Sequence, residues 1–538
     1  MSNLLFHRLR LLQVILLTLL LGAGCIAKAQ PGTLDFTYGT NGIVLTNLGD
    51  DYPEGYCSVL DAQGRLVVGG RVYVYQNDEW HAFLARFQTD GSLDPSFGNG
   101  GFIIDSTING WIFGLTIASD GKILACGRVL TGQSTYDYII FRYNQDGTID
   151  NTFSQDGSLL VDFGGLHRNQ ASGIHEQADG KILVNGGFMY DQQGVSDLRK
   201  IGICRLMPNG TLDPTYGNNG LVIEDLGSNN ANCFNSKIDA NGKLVVAGWR
   251  GLSGNFQGVL SRYNTDGTLD ATFGNAGLAF LNIALPDYLF FSTAIADDGS
   301  IYTCGTATTP VTLEWDFIIA KFTPAGLVDT SFANNGFLHL EFTNVHQDEA
   351  HDLVLQQDGK LLVIGQVQNS NNNDTWEFAT LRLNQNGTLD TSFGDNGLAV
   401  FPVGSDDSYP VSVELQSDGK ALLVGFSDDV DNGLAIARIL TGGNLGIVDF
   451  ESEQTEVLLY PNPIAAKASL DFELTKSAAV SAELFTSHGI SVEKIMDNAN
   501  VKSGKHKIEL DLSNFAAGVY VLKLTVGDAL KTIKIIKS

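Results

Sequence analysis

Along most of the chain, apolar residues come in short runs separated by turns rich in Gly, Asp and Asn, a strand pattern without helical period. Two kinds of turn alternate between the runs. The first lies inside a pair of apolar runs, at Gly64, Gly121, Gly180, Gly242, Gly299, Gly359 and Gly419, mostly as Asp-Gly or Asn-Gly. Such dipeptides specify tight hairpins, because type I′ turns require positive φ. The second turn is an eleven-residue segment, GTLDPTYGNNG in its copy at Gly210, which returns from Gly32, Gly91, Gly147, Gly210, Gly267, Gly326 and Gly387 at intervals of 56 to 63 residues. Between the two turns, a third run ends on a basic residue. Each repeat therefore predicts four short strands.

A lone four-stranded sheet of this length leaves an apolar face bare, so the sheets must stack around an axis. The phase of the repeat supplies the closure. The chain begins with an eleven-residue segment and the strand Ile43 to Thr46, with no first three strands before them, while Val411 to Leu440 has three strands and no fourth. The first strand should complete the last sheet and remove an exposed edge. The expected fold class is all-β: a seven-bladed β-propeller over residues 30–445, then a small Ig-like β-sandwich. Residues 32 to about 440 resemble the delta-60 repeat, an uncharacterised β-propeller family of bacterial secreted proteins, with departures at Ser154 and Ala333, where the Gly after the aromatic is missing.

The repeated residues read as structure. Asp35, Asp94, Asp150, Asp213, Asp270, Asp329 and Asp390 suit capping of the turn that follows, with an aromatic three residues on to fill the wedge between blades. The basic residues Arg86, Arg142, Arg205, Arg262, Lys321, Arg382 and Arg438 are spaced to pair with these aspartates. The Asp-rich turns also leave calcium open as a cofactor, although their spacing is not that of an EF-hand; no other cofactor is expected. Five cysteines after residue 29 are too few and too scattered for a disulfide scaffold.

The ends of the chain read differently. His7, Arg8 and Arg10 precede an apolar run to Leu21 and then Ala27-Lys28-Ala29, a secretory signal peptide over residues 1–29. No later run is long enough for a transmembrane helix. A linker is expected over 446–456. From Thr455 to the end there are ten Lys, no Arg and nine acids, net +1, against −28 for the rest of the chain. Short alternating runs over 457–538 predict the sandwich. Tyr460-Pro461-Asn462-Pro463, His488-Gly489, Asp511-Leu512-Ser513 and Ala517-Gly518-Val519-Tyr520 resemble the type A sorting domain of the type IX secretion system. The resemblance implies export across the outer membrane of a Bacteroidota-type bacterium, to the cell surface or the medium, with the secretion machinery as partner.

The formal charge of −27 argues against a nucleic-acid partner. No G-x-S-x-G, H-E-x-x-H or phosphate-loop motif occurs. Residues common to every repeat serve the ring, so a ligand should meet what differs between repeats, expected on the face made by the irregular connections. The candidates are Asp51, Trp80, Trp111, His167, Trp315, His346, Glu349, His351, Trp376, Asp407 and Tyr409. Aromatic platforms beside carboxylates suit a polysaccharide or a surface protein, and a binding module is the leading reading. A propeller glycoside hydrolase or polysaccharide lyase, and a purely structural or adhesive surface protein, are the alternatives.

Overall fold

The structure is a computed structural model of the whole chain. It describes residues 30–442 and 458–537, apart from 50, 77, 106–108, 133–134, 164–168, 193–194, 229, 253–254, 284, 310–313, 343–346, 370–374, 430–432, 461–463, 465, 475–476, 487–490, 514, 516–517 and 527–528. The leader expected at 1–29 and the linker at 446–456 lie outside the described residues. The chain divides into two compact units between Gly442 and Gly443.

Among the described residues of the first unit there are seven four-stranded antiparallel sheets. In the first sheet, Tyr52–Leu60, Leu66–Val74, Glu79–Phe87 and Phe102–Asp105 pair in chain order, and the next five sheets repeat this plan. In the seventh, Ser408–Leu415, Ala421–Ser427 and Leu434–Ile439 are joined on the outside by Ile43–Thr46, with Ile43 opposite Ala437 and Thr46 opposite Leu434. The apolar core is divided among the gaps between sheets. Val67 and Leu84 of the first sheet pack on Ile112 and Ile139 of the second, and the series returns to its start where Leu422 and Ile436 of the seventh pack on Leu66 and Phe83 of the first. The arrangement is a β-propeller: sheets bury their faces against neighbours, and the first strand of each looks onto a common axis.

One lock is repeated around the ring. Arg86 Nε donates to Asp94 Oδ2 at 2.7 Å, and its guanidinium lies 4.6 Å from the centre of the Phe97 ring. The corresponding pairs are Arg142–Asp150, Arg205–Asp213, Arg262–Asp270, Lys321–Asp329, Arg382–Asp390 and, joining the two ends of the unit, Arg438–Asp35. The other oxygen of each aspartate is taken as well: Asp213 Oδ1 accepts from the amide and hydroxyl of Thr215. A second cation comes from the hairpin turn, as Lys122 to Asp150, Lys181 to Asp213, Lys243 to Asp270, Lys360 to Asp390, Lys420 to Asp35 and Arg65 to Asp94. These carboxylates are engaged in caps and ion pairs, the geometry of a structural turn and not of a calcium loop.

The lock also reaches the next sheet. Arg205 Nη1 donates to Thr265 O, and Arg438 Nη1 donates to Thr89 O. The residue after each repeated aromatic donates its amide across the same gap, as from Gly98 to Asp146 O and from Gly217 to Asp266 O. Ser154 and Ala333 hold this place at φ 48° and 45° and still donate, to Asn209 O and Asn386 O. The bond is a main-chain one, so the two departures keep the connection at the cost of a left-handed conformation that Gly adopts more readily.

Each innermost strand carries a β-bulge at one matching position, occupied by Tyr56, Phe113, Ser172, Phe234, Phe291, His351 and Val411. A bulge inserts one residue and breaks the in–out alternation. Glu349, Trp111 and Tyr409 pair with Gln366, Arg128 and Phe426 of the second strands, so they and the bulged His351 lie within strands, in Asp348–Leu355, Gly110–Ile117 and Ser408–Leu415, not in the loops where the sequence pattern put them.

The second unit holds a three-stranded sheet, Leu458–Tyr460, Lys467–Leu474 and Gly504–Asp511, and a four-stranded one, Ser491–Val501, Ala478–Thr486, Gly518–Val526 and Ala529–Lys537. Leu470 and Phe472 of one sheet share a core with Leu484 and Leu522 of the other. Among the described residues no helix is long and apolar enough to cross a membrane.

Candidate functional site

The candidates from sequence fall into separate groups. His167 and His346 lie outside the described residues. Trp80 and Trp111 belong to an alternating stack of rings and guanidinium groups: Arg71 lies 3.9 Å from the Trp80 ring centre and 4.4 Å from that of Trp111, while Arg128 lies 3.5 Å from Trp111 and 4.6 Å from Tyr136. Trp111, expected as a sugar platform, is instead covered by two cations, because the second strands of its own sheet and of the preceding sheet each send an arginine over it. Arg71 is held in place by Glu54, with Nε to Oε2 at 2.8 Å and Nη2 to Oε1 at 2.9 Å. Asp51 accepts from the amide of Tyr75 at 3.2 Å. Trp315 is half-buried at the start of its strand.

Trp376, Asp407 and Tyr409 do come together. The Trp376 amide donates to Asp407 Oδ1 at 2.8 Å, the Tyr409 hydroxyl donates to Asp407 Oδ2 at 3.3 Å, and the two rings are 6.5 Å apart. Glu349 Oε2 lies 4.0 Å from His351 Nε2, and the His351 ring stacks on Phe291 at 5.9 Å. His351 therefore belongs to a collar of bulge residues around the axis, with Tyr56 stacked on Phe113 at 5.2 Å and Phe234 against Phe291 at 4.9 Å.

Below this collar the innermost strands enclose an axial cavity of about 810 Å³. Its wall is built almost wholly from the half of each strand that runs from the bulge to the Asp-Gly or Asn-Gly hairpin, so the hollow lies toward the face opposite the irregular loops. The position five residues before each turn Gly faces it: Val59, Thr116, His175, Lys237, Ala294, Val354 and Glu414. Three of these are ionisable, and Asp352, one residue past its bulge, adds a fourth group. Aligning the repeats on the turn Gly reveals the set in the sequence, yet each member is isolated among the strand residues of its own repeat.

Water reaches these side chains from the cavity, and protein surrounds them on the other sides, which governs their charge. Burial pushes the Glu414 carboxyl up to about 8, with Asp352 adding to the shift and Lys237 opposing it. Burial also raises Asp352, although its oxygens accept from Ser292 Oγ at 2.6 Å and from the amides of Leu353 and Val413 at 2.9 and 3.0 Å. Burial and the charge of Lys237 bring His175 down to about 3. His175 Nε2 lies 2.8 Å from Ser236 Oγ, whose single proton goes to Asn185 Oδ1 at 2.5 Å; the hydrogen-bond pattern thus assigns the histidine proton to Nε2. Gly173 makes room for this chain of bonds, since a Cβ there would stand 2.5 Å from Asn185 Oδ1 and 2.7 Å from Ser236 Oγ. No group of three or more His, Cys, Asp or Glu among the described residues is arranged to hold a metal ion.

Two family models match the chain. A β-propeller domain of unknown function, DUF5122, matches residues 63–97, 118–153, 177–216, 240–273 and 356–393. A secretion system C-terminal sorting domain matches 458–538. No curated protein matches. Among solved structures, a protein of unknown function from Dyadobacter fermentans is 12% identical with a TM-score of 0.39, over 74% of this chain and 98% of that one. A polysaccharide lyase, an ulvan lyase with bound saccharide, is 9% identical with a TM-score of 0.38, over 74% and 96%. The β-propeller domain of the trilobed protease of Pyrococcus furiosus is 9% identical with a TM-score of 0.38, over 76% and 100%.

Proposed function

We propose, from the premise that this chain carries DUF5122 β-propeller repeats and a C-terminal secretion sorting domain, that it is an exported seven-bladed propeller binding polysaccharide in its axial cavity. On this reading the Ig-like sandwich is the type IX sorting signal, and the propeller is the cargo delivered to the cell surface or the medium. The observation that carries the binding role is the contrast between lock and wall. Arg–Asp–aromatic groups recur around the ring, whereas the wall of the cavity changes from strand to strand, which is what recognition of an asymmetric ligand needs. Its volume lies within the range of about 300 to 1,000 Å³ typical of small-ligand sites. The collar of Tyr56, Phe113, Phe234, Phe291 and His351 offers apolar ring faces for the C–H side of a sugar.

A second reading puts the ligand on the loop face, at Trp376, Asp407 and Tyr409, favoured by their mutual contacts. Two substitutions separate the readings on a glycan array. Ser172→Trp fills the cavity beside the collar and should abolish binding, while Trp376→Ala should leave it intact. The opposite result moves the site to the loop face. New reducing ends or unsaturated products in the same incubations would make the protein an enzyme.

A further inference from the structure

The cavity wall holds one cation and two acids whose hydrogen-bond partners differ. Among the described residues Lys237 is the only Lys or Arg lining the cavity, its side chain is exposed there, and it has no ion-pair partner within 4 Å. The contrast with the hairpin lysines is informative, since Lys122, Lys181, Lys243, Lys360 and Lys420 each sit on a repeat aspartate. Asp352 is already filled by Ser292 and two backbone amides. His175 spends its proton on Ser236. What the wall leaves open is a set of donors at matching positions on two strands: the Lys237 ammonium and the Glu414 carboxylic acid.

We infer that the axial cavity takes a sugar residue bearing a carboxylate, its two oxygens received by the Lys237 ammonium and the Glu414 hydroxyl, with the ring against the aromatic collar. The inference rests on the reading of the cavity as a polysaccharide site and names the chemistry of the unit held there. A carboxylate between an ammonium and a carboxylic acid gains two charge-assisted hydrogen bonds. In an acidic protein this placement also explains why a lone unpaired lysine stands at the axis: it supplies the local positive charge that the rest of the surface denies an anion. Glu414 serves only while protonated. The groups facing it are Lys237, Asp352 and, through the wall, the buried Cys57 thiol, with His175 neutral nearby. Below pH 8 the acid donates; above it, the carboxylate repels the ligand.

The test is titration calorimetry of the full chain with oligogalacturonate, its methyl ester and a neutral oligosaccharide of equal length. The acid form should bind roughly tenfold or more tighter than its ester at pH 7. Lys237→Met should bring the acid down to the level of the ester, Lys237→Arg should restore part of the difference, and Glu414→Gln should remove the weakening expected between pH 7 and 9. Equal affinity for acid and ester, or a difference that survives Lys237→Met, overturns the inference while leaving a neutral-sugar site standing. Failure of every saccharide to bind overturns the cavity reading itself. Preference for a free peptide C-terminus over the oligogalacturonate overturns the sugar assignment.

Discussion

At the residue scale, the ring is held by buried charge that is matched on every side. Asp213 is 1% exposed and takes Arg205, Lys181 and Thr215 together. Burial alone would raise its carboxyl, but the Thr215 bonds, Lys181 and Arg205 outweigh burial and hold it well below the usual carboxylate range. Removing one partner of such a pair leaves a buried ion uncompensated, at a cost of about 3–5 kcal/mol. In the fifth sheet the hairpin residue is Ser300 where the other repeats have Lys or Arg, and Asp329 has Lys321 as its ion-pair partner at 21% side-chain exposure. Urea denaturation should therefore show the larger loss of stability for Asp213→Ala, and a loss of about 1 kcal/mol or less for Asp329→Ala. The folded-state value of Asp213 is depressed, so its contribution is full above the unfolded value of about 4 and fades as pH falls through the folded one. The penalty of Asp213→Ala should shrink steadily below pH 4, and a penalty undiminished at pH 2 would mean that packing, not charge, holds this corner.

At the element scale, closure depends on one four-residue strand. Ile43–Thr46 covers the outer edge of Leu434–Ile439, and Asp35 just before it neutralises Arg438 and Lys420. Deleting residues 30–48 would bare that edge, strand two basic side chains and open the apolar joint between the last and first sheets. The expected outcome is aggregation on size exclusion and a melting temperature several degrees lower; an unchanged monomer would show that the ring closes without this strand. The four-strand repeat and its closing strand were legible because turn chemistry marks both: a tight turn at a Gly separates paired runs in each repeat, and the phase mismatch between the ends shows which strand is missing. The cavity wall was not legible for two reasons. The bulge at Tyr56 and its counterparts shifts the alternation midway along each innermost strand, so Glu349 and His351 read as loop residues. His175, Lys237, Asp352 and Glu414, in turn, come from four different repeats and meet only when the ring closes. Trp111 misled for a different reason: Arg128 stands opposite it on the neighbouring strand, and Arg71 reaches it from the preceding sheet.

At the scale of the whole molecule, two units with separate cores should melt as two events. The larger is a ring in which every joint depends on two neighbours, so loss of one sheet exposes the faces of the sheets beside it, and the ring should unfold as one cooperative block. The smaller has its own core around Leu470, Leu484 and Leu522. The axial cavity is lined by strands from all seven sheets, so the binding energy of a ligand held there is linked to the ring. At a ligand concentration of 100 times Kd the ring should gain about 2.7 kcal/mol. Differential scanning calorimetry of the full chain should accordingly give two transitions, of which saturating oligogalacturonate shifts only the one of larger enthalpy upward. A chain ending at Gly442 should keep that transition at the same temperature and shift with the ligand by the same amount. A single merged transition, or a ligand shift that disappears with residues 443–538, would mean that the two units are energetically joined and that the ligand contacts more than the axis of the ring.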